Sequence, residues 1–310
     1  HWPLHAPQAV IDKYRGRYAG GWDATRTARH ERLKGDGTLD ARWTISPRDP
    51  EVAPWADVPD KDYQDALMAT YAAMIEMMDA GVGRILQQLE QQGIADDTLV
   101  MFLSDNGGCH EFIGYQSQWA QRLQRQTITG KDVIIGDAPG LLPGSDVTYQ
   151  SYNRPWANVS NTPFRLHKHW VHEGGISTPL IAHWPGGGLS GGGLSHQLAH
   201  VIDLMPTCLD AAGASYPESR GDQPTHALPG RSLLPHFRDA DRVEERTIYW
   251  QHEGNCAMRE GDWKLVRRFR GPWELYNVRE DRTELSDLSA GEASRLAKME
   301  ADWSRWADSV

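Results

Sequence analysis

Ser104-Asp105-Asn106-Gly107-Gly108 follows directly on an apolar run and combines residue types that can do chemistry. An ionised Asp beside a neutral amide oxygen gives two hard ligands of the kind Ca²⁺ or Mg²⁺ takes, and the paired glycines let another group come close to the backbone. A plain Asp-Asn-Gly turn accounts for the same residues. In open α/β sheets ligands sit beyond the carboxyl ends of strands, so the position agrees with the chemistry. A second cluster, Arg165-Leu166-His167-Lys168-His169-Trp170-Val171-His172-Glu173-Gly174-Gly175, gathers five groups able to carry positive charge within eight residues. Such a cluster can receive an oxyanion, with Lys168 as a compact charge or proton donor; a solvated basic turn is the plainer reading. Zinc is weakly indicated, because the three His and the Glu lack the HExxH spacing. At the start of the chain, His1-Trp2-Pro3-Leu4-His5-Ala6-Pro7 sets two His among rigidifying prolines.

The elements that must position these residues are also legible. From Asp60 to Gln92, Leu67, Tyr71, Met74, Met78, Ile85 and Leu89 recur at helical spacing and Gly93 stands at the C-terminal cap position, which predicts one long helix with its Met-rich stripe in the core. The uninterrupted run Leu99–Leu103 predicts a strand covered on both faces of a parallel sheet, and Leu180–Trp184 predicts a second strand, followed by a helix around Pro206–Ala212. Residues 107–178 carry no sustained period and read as a long functional loop, and the tandem Gly-Gly-Gly-Leu-Ser at 186–195 reads as a surface excursion. From Thr247 onward, short strand-like runs separated by turn residues predict an antiparallel sheet. A capping box of Ser289 and Glu292 then opens a helix whose face is Leu296, Met299, Trp303 and Trp306.

With 310 residues, 39% of them hydrophobic and 24% charged, the chain is globular in composition and can form one large domain with a small partner. We divide it at residues 1–240 and 241–310. A net charge of −10 argues against nucleic acid as a partner, since phosphate-backbone binders need a basic face; an anionic small substrate is still admissible in a cleft or beside a metal ion. No apolar run is long enough for a membrane span. Cys109, Cys208 and Cys256 are widely spaced and odd in number, so neither a disulfide framework nor a CxxC site is indicated. The Asn158-Val159-Ser160 sequon carries little weight by itself.

Taken together, the three clusters resemble the sulfatase family of the alkaline-phosphatase superfamily. The opening is similar to the family's His-x-Pro-Leu-x-Ala-Pro segment, Leu103-Ser104-Asp105-Asn106-Gly107-Gly108 to its distal metal-binding loop, and Asn161–Lys168 leading into Glu173–Pro179 to its catalytic-lysine segment. Gln251–Asn255, Arg259–Val266 and Trp273–Asn277 resemble the C-terminal subdomain of arylsulfatases. The resemblance implies an α/β fold: an alkaline-phosphatase-like α/β/α sandwich, incomplete at its N-terminus, with a small C-terminal antiparallel sheet plus helix. It implies that Asp105 and Asn106 ligate one Ca²⁺ and that His1 and Lys168 contact the sulfate group and assist the leaving oxygen, with His5 structural. Substrate specificity is expected in the 107–178 loop and around His252 and Glu253, with His252 binding substrate.

The family's nucleophile, a Cys or Ser in a Cys/Ser-x-Pro-x-Arg motif converted to formylglycine, has no counterpart here. None of the three cysteines is followed by the required Pro and Arg. The reading is therefore a sulfuric ester hydrolase acting on a sulfated small molecule or glycan, with its nucleophile and half its metal ligands upstream and the 310-residue chain inactive alone. Export from the cytoplasm is known of many relatives. A phosphodiesterase or phosphonate hydrolase of the same superfamily and a non-catalytic carbohydrate-binding module are the alternatives.

Overall fold

The computed structural model describes residues 1–114, 120–189 and 191–310. A single turn of helix, α1 (Gln8–Ile11), and α2 (Gly21–Gly35) lead to α3 (Lys61–Gln91), the long helix the apolar spacing predicts. The first half of α3 buries Tyr63, Leu67, Met68 and Ala73 against Leu4, Trp22, Tyr152 and Trp156 or beside Ile11. Its second half departs from expectation: Met78 is 46% and Ile85 64% exposed, because among the described residues no element lies over that part of the stripe.

Strand β1 (Val100–Leu103) ends at the Asp105 loop. The segment that follows is not a bare loop. Its described part holds β2 (Ile134–Ile135) parallel to β3 (Thr148–Tyr149), then α4 (Asn153–Ser160) and α5 (Glu173–Ile176); residues 115–119 of the expected loop lie outside the described residues. Asp137 helps to hold it together, its carboxylate accepting from the backbone amides of Ile113 and Ser151. Strand β4 (Leu180–His183) then pairs with β1, and the pairing is antiparallel. This corrects the expected parallel, doubly covered strand: β1 and β4 form a two-stranded sheet, with Phe102 and Ile181 largely exposed. The Gly-rich tandem beyond it is mostly exposed where described, with Gly187 and Leu189 half-buried, as expected of a surface excursion; Ser190 lies outside the described residues.

Helix α6 (Leu204–Ala211) carries Pro206 in its first turn, and β5 (Ser219–Arg220) and β6 (Gln223–Pro224) form a small exposed hairpin before α7 (Leu234–Arg238). The last third is the expected antiparallel sheet: β7 (Thr247–His252), β8 (Asn255–Glu260), β9 (Trp263–Arg267) and β10 (Glu274–Asn277), in the order β10-β9-β8-β7. Met258, Leu265 and Leu275 on one face meet Met299 and Trp303 of α8 (Ala293–Ala307). Ala257, Val266 and Tyr276 on the other meet Val171, so the sheet lies against the Lys168 segment. The capping box does not form. Helix α8 starts after Glu292, which makes no side-chain cap, and the Ser289 hydroxyl bonds Asp287 instead. No described helix is long and apolar enough to cross a membrane.

Candidate active site

The metal loop and the lysine segment are stitched together through backbone. The Gly107 amide donates to the Gly175 carbonyl at 2.9 Å, the Lys168 amide donates to the Gly108 carbonyl at 3.1 Å, and the Gly108 amide donates to Asn161 Oδ1 at 2.7 Å. This is why the glycines are there. A Cβ on Gly107 would stand 1.8 Å from the Gly174 carbonyl oxygen, and one on Gly174 would stand 2.1 Å from that of Arg165.

Positive backbone angles at Leu166 (φ 66°) and His169 (φ 88°) flank Lys168, conformations that L-residues rarely hold without support from their surroundings. Asn161 Nδ2 supplies part of that support by donating to the Leu166 carbonyl at 2.9 Å. The resulting twist sorts the basic cluster into two groups. His167 and His172 turn inward and are fully buried, His167 Nε2 lying 2.9 Å from Asp49 Oδ2, while Lys168 and His169 turn outward. The five basic groups therefore do not form one anion-receiving patch, and the plain solvated-turn reading fails as well. Burial opposes ionisation of Asp49, but the hydrogen bonds from His167 and the Glu51 amide outweigh it and hold the carboxyl at about 2.

Lys168 Nζ lies 3.1 Å from His1 Nε2, joining residues 167 positions apart. His1 Nδ1 is 2.8 Å from the Trp2 carbonyl, which only accepts, so Nδ1 carries the hydrogen and Nε2 presents its lone pair to the lysine. His5 is structural, as expected, with Nε2 against the Thr148 carbonyl. Asp105 is exposed at the end of β1 with Asn106 beside it, and among the described residues neither side chain makes a hydrogen bond or ion pair. Two unpartnered hard oxygens on adjacent residues fit a divalent cation of the Ca²⁺ or Mg²⁺ type.

His252 is less central than expected. It stacks on His169 at a ring distance of 6.0 Å but does not line the adjoining open cleft. That cleft, of about 450 Å³, is lined by His110, Glu111, His169, Trp170, Glu253, Asn255, Arg268 and Phe269. Burial pulls His110 down to about 3, so it presents a neutral ring. Glu111 had no place in the sequence reading, which named His169 only within the basic cluster and Cys109 only as one of three scattered cysteines. Burial, together with a hydrogen bond to Glu111, pushes the Cys109 thiol up to about 11, which makes it a thiol and a poor nucleophile. Asn158 of the sequon is buried in α4, closed to modification in the folded chain.

The family model described as "Sulfatase" matches residues 1–214, and the one described as "N-sulphoglucosamine sulphohydrolase, C-terminal" matches residues 164–302. The chain belongs to the sulfatase family. Similar curated proteins are an uncharacterized sulfatase of Schizosaccharomyces pombe, 29% identical over 93% of this sulfatase chain and 52% of its own length, and an arylsulfatase of Klebsiella aerogenes, 30% identical over 75% and 48%. This sulfatase chain thus spans about half the length of those relatives. Among solved structures, Ps i-CgsB superposes with a TM-score of 0.55 at 22% identity, covering 92% of this chain and 54% of that one. A protein solved in complex with D-glucosamine-2-N,6-O-disulfate gives a TM-score of 0.51 at 19% identity, covering 80% and 41%. The fold is accordingly that of the alkaline-phosphatase-like sulfatases, with the C-terminal antiparallel sheet and helix in place.

Proposed function

We propose that this protein is a sulfuric ester hydrolase acting on sulfated carbohydrate, with residues 1–240 belonging to the catalytic domain and 241–310 forming a subdomain that closes one side of its cleft. The approach of Lys168 to His1 carries the reading: an ammonium and an imidazole are held together beside a cleft large enough for the alcohol part of an ester. Cleavage of a sulfate ester builds negative charge on the bridging oxygen, and a group that donates to that oxygen only in the transition state accelerates the reaction. Lys168 is the donor suited to that oxygen. His1, with its Nε2 lone pair, accepts from the ammonium and so orients it, leaving another of its hydrogens for that oxygen. Asp105 and Asn106 would hold Ca²⁺, which when bound neutralises sulfate charge and lowers the cost of bringing a nucleophile to sulfur. The nucleophile of this reading is a formylglycine outside these 310 residues, since none of the three cysteines stands in a Cys-x-Pro-x-Arg motif.

Two neighbours solved with a carrageenan hexaose and with glucosamine disulfate support a sugar as the alcohol, as does a cleft that combines Trp170 and Phe269 with Glu253, Asn255 and Arg268. Turnover of an aryl sulfate and a panel of sulfated sugars by the full-length enzyme, as wild type and Lys168→Ala, tests the reading. Loss of kcat on the order of 10²-fold or more in the variant is expected. Hydrolysis of an aryl phosphonate with none of a sulfate, or sugar binding without any hydrolysis, would move the function to one of the alternatives.

A further inference from the structure

The Glu111 carboxylate is where the catalytic pair and the cleft meet. Its Oε2 accepts from Trp2 Nε1 at 2.6 Å and from the Cys109 thiol at 2.9 Å, and stands 3.8 Å from Lys168 Nζ and 3.9 Å from His1 Nε2. Its Oε1 lies 3.2 Å from His169 Nε2, and His169 Nδ1 lies 2.8 Å from Glu253 Oε2. Burial works against the charge, but hydrogen bonds from Cys109 and Trp2, the Lys168 ammonium and His169 hold the carboxyl below the usual range, so it is ionised. An anionic group this close to the place where a sulfate must sit opposes substrate charge. Four neighbouring polar groups nevertheless hold it there from three stretches of chain. Two of them, Trp2 and Cys109, lie outside the Lys168–His1 pair, and both donate to this one oxygen.

We propose that Glu111 is a positioning residue. One oxygen sets the Lys168–His1 pair and the other sets His169 on the cleft wall, so that the alcohol seated in the cleft and the proton donor at its bridging oxygen are held by the same side chain. The proposal rests on the sulfate-ester reading for its kinetics only.

The experiment is a double-mutant cycle on kcat with an aryl sulfate, using Glu111→Gln, Lys168→Ala and the pair, with Glu111→Asp as a rescue variant. Nitrogen-detected NMR of the His1 and His169 rings in wild type and Glu111→Gln is its second arm. Misplacing a donor by a fraction of an ångström to an ångström costs catalysis steeply. Glu111→Gln is therefore expected to lower kcat at least about tenfold with KM changed by less than about twofold, and to cost almost nothing more once Lys168 is gone. Glu111→Asp should recover part of the loss. The His169 Nε2 signal should lose its carboxylate-bonded character in Glu111→Gln while melting temperature stays put. A loss appearing only in KM, an equal loss in both Lys168 backgrounds, or unchanged ring signals would overturn the proposal. All variants are made in the full-length enzyme, which includes the nucleophile; if that wild type hydrolyses no sulfate ester, the function assigned above fails, and the ring signals still decide whether Glu111 sets His169.

Discussion

A neutral amide and a carboxylate contribute unequally to a cation, and Asp105 and Asn106 make that inequality testable. Both side chains end β1 with no partner among the described residues, so neither is needed to hold the loop, which is fixed by the Gly107 and Gly108 backbone instead. Asp105→Ala should therefore leave the fold intact and remove bound calcium and with it turnover. Asn106→Ala should weaken metal binding much less, because it removes a ligand without charge. Elemental analysis of the purified variants beside kinetics checks both, and stoichiometric zinc without calcium in wild type would contradict the assignment. The sequence offers these two residues and Lys168 as candidates through their types, order and local spacing. It offers no such sign for Glu111, nor for the contacts that His169 and Cys109 make with it. Their roles depend on which way the chain turns at Leu166 and His169, and a positive φ at a non-glycine residue leaves no mark in the pattern of residue types.

At the scale of elements, the joint between α5 and the C-terminal sheet is ionic. Lys264 of β9 is fully buried, with Nζ 2.7 Å from Glu173 Oε1 and 2.8 Å from Glu284 Oε1, and Arg282 pairs with the other Glu173 oxygen. Burial alone would raise the Glu173 carboxyl, but the Lys264 and Arg282 charges outweigh it and hold it well below its ordinary 4.5. A carboxyl depressed by folding binds fewer protons folded than unfolded, so its stabilisation is complete above about pH 4.5 and drains away as pH falls below that value. Glu274, depressed through His172, Tyr276 and Arg165 against the pull of burial, adds to the same slope. Urea titrations should show stability falling from about pH 4.5 downward, and Glu173→Gln should flatten that fall. Lys264→Met leaves two buried carboxylates facing each other and should cost about 3–5 kcal/mol, measured by the same titrations at pH 7. The strands and α8 were legible from alternation and spacing. The joint was not, since Lys264 sits in a run that reads as an ordinary half-polar strand, and its burial comes from residues about 90 positions earlier in the chain.

For the whole molecule, the deciding feature is apolar surface, on α3 and on the two-stranded sheet, with nothing described over it. Met77, Met78 and Ile85 on the second half of α3 are each more than two-fifths exposed, and Phe102 and Ile181 are exposed on a sheet of only two strands. Contiguous apolar surface and unpaired strand edges both drive association in water. The sequence predicted the helix and both strands, yet it read the stripe on α3 and the β1 run as covered, because periodicity reports which face is apolar and not what lies against it. About half the length of the matched relatives has no counterpart in this chain, and we expect that portion of the fold to be what covers the face. The 310-residue protein alone should then self-associate at micromolar concentration, and paired substitutions Met78→Lys and Ile85→Lys should reduce association. At such exposed positions the paired change should alter stability by no more than about 0.5 kcal/mol per site. Supplying the remaining sulfatase segment in trans should reduce association of the unsubstituted protein, and the lysine pair should abolish that rescue because it charges the surface to be covered. Sedimentation velocity reads all four samples. A monomeric wild type, or a lysine pair that associates as strongly as wild type, would show that this face is stable in water and that β1 and β4 need no further partner.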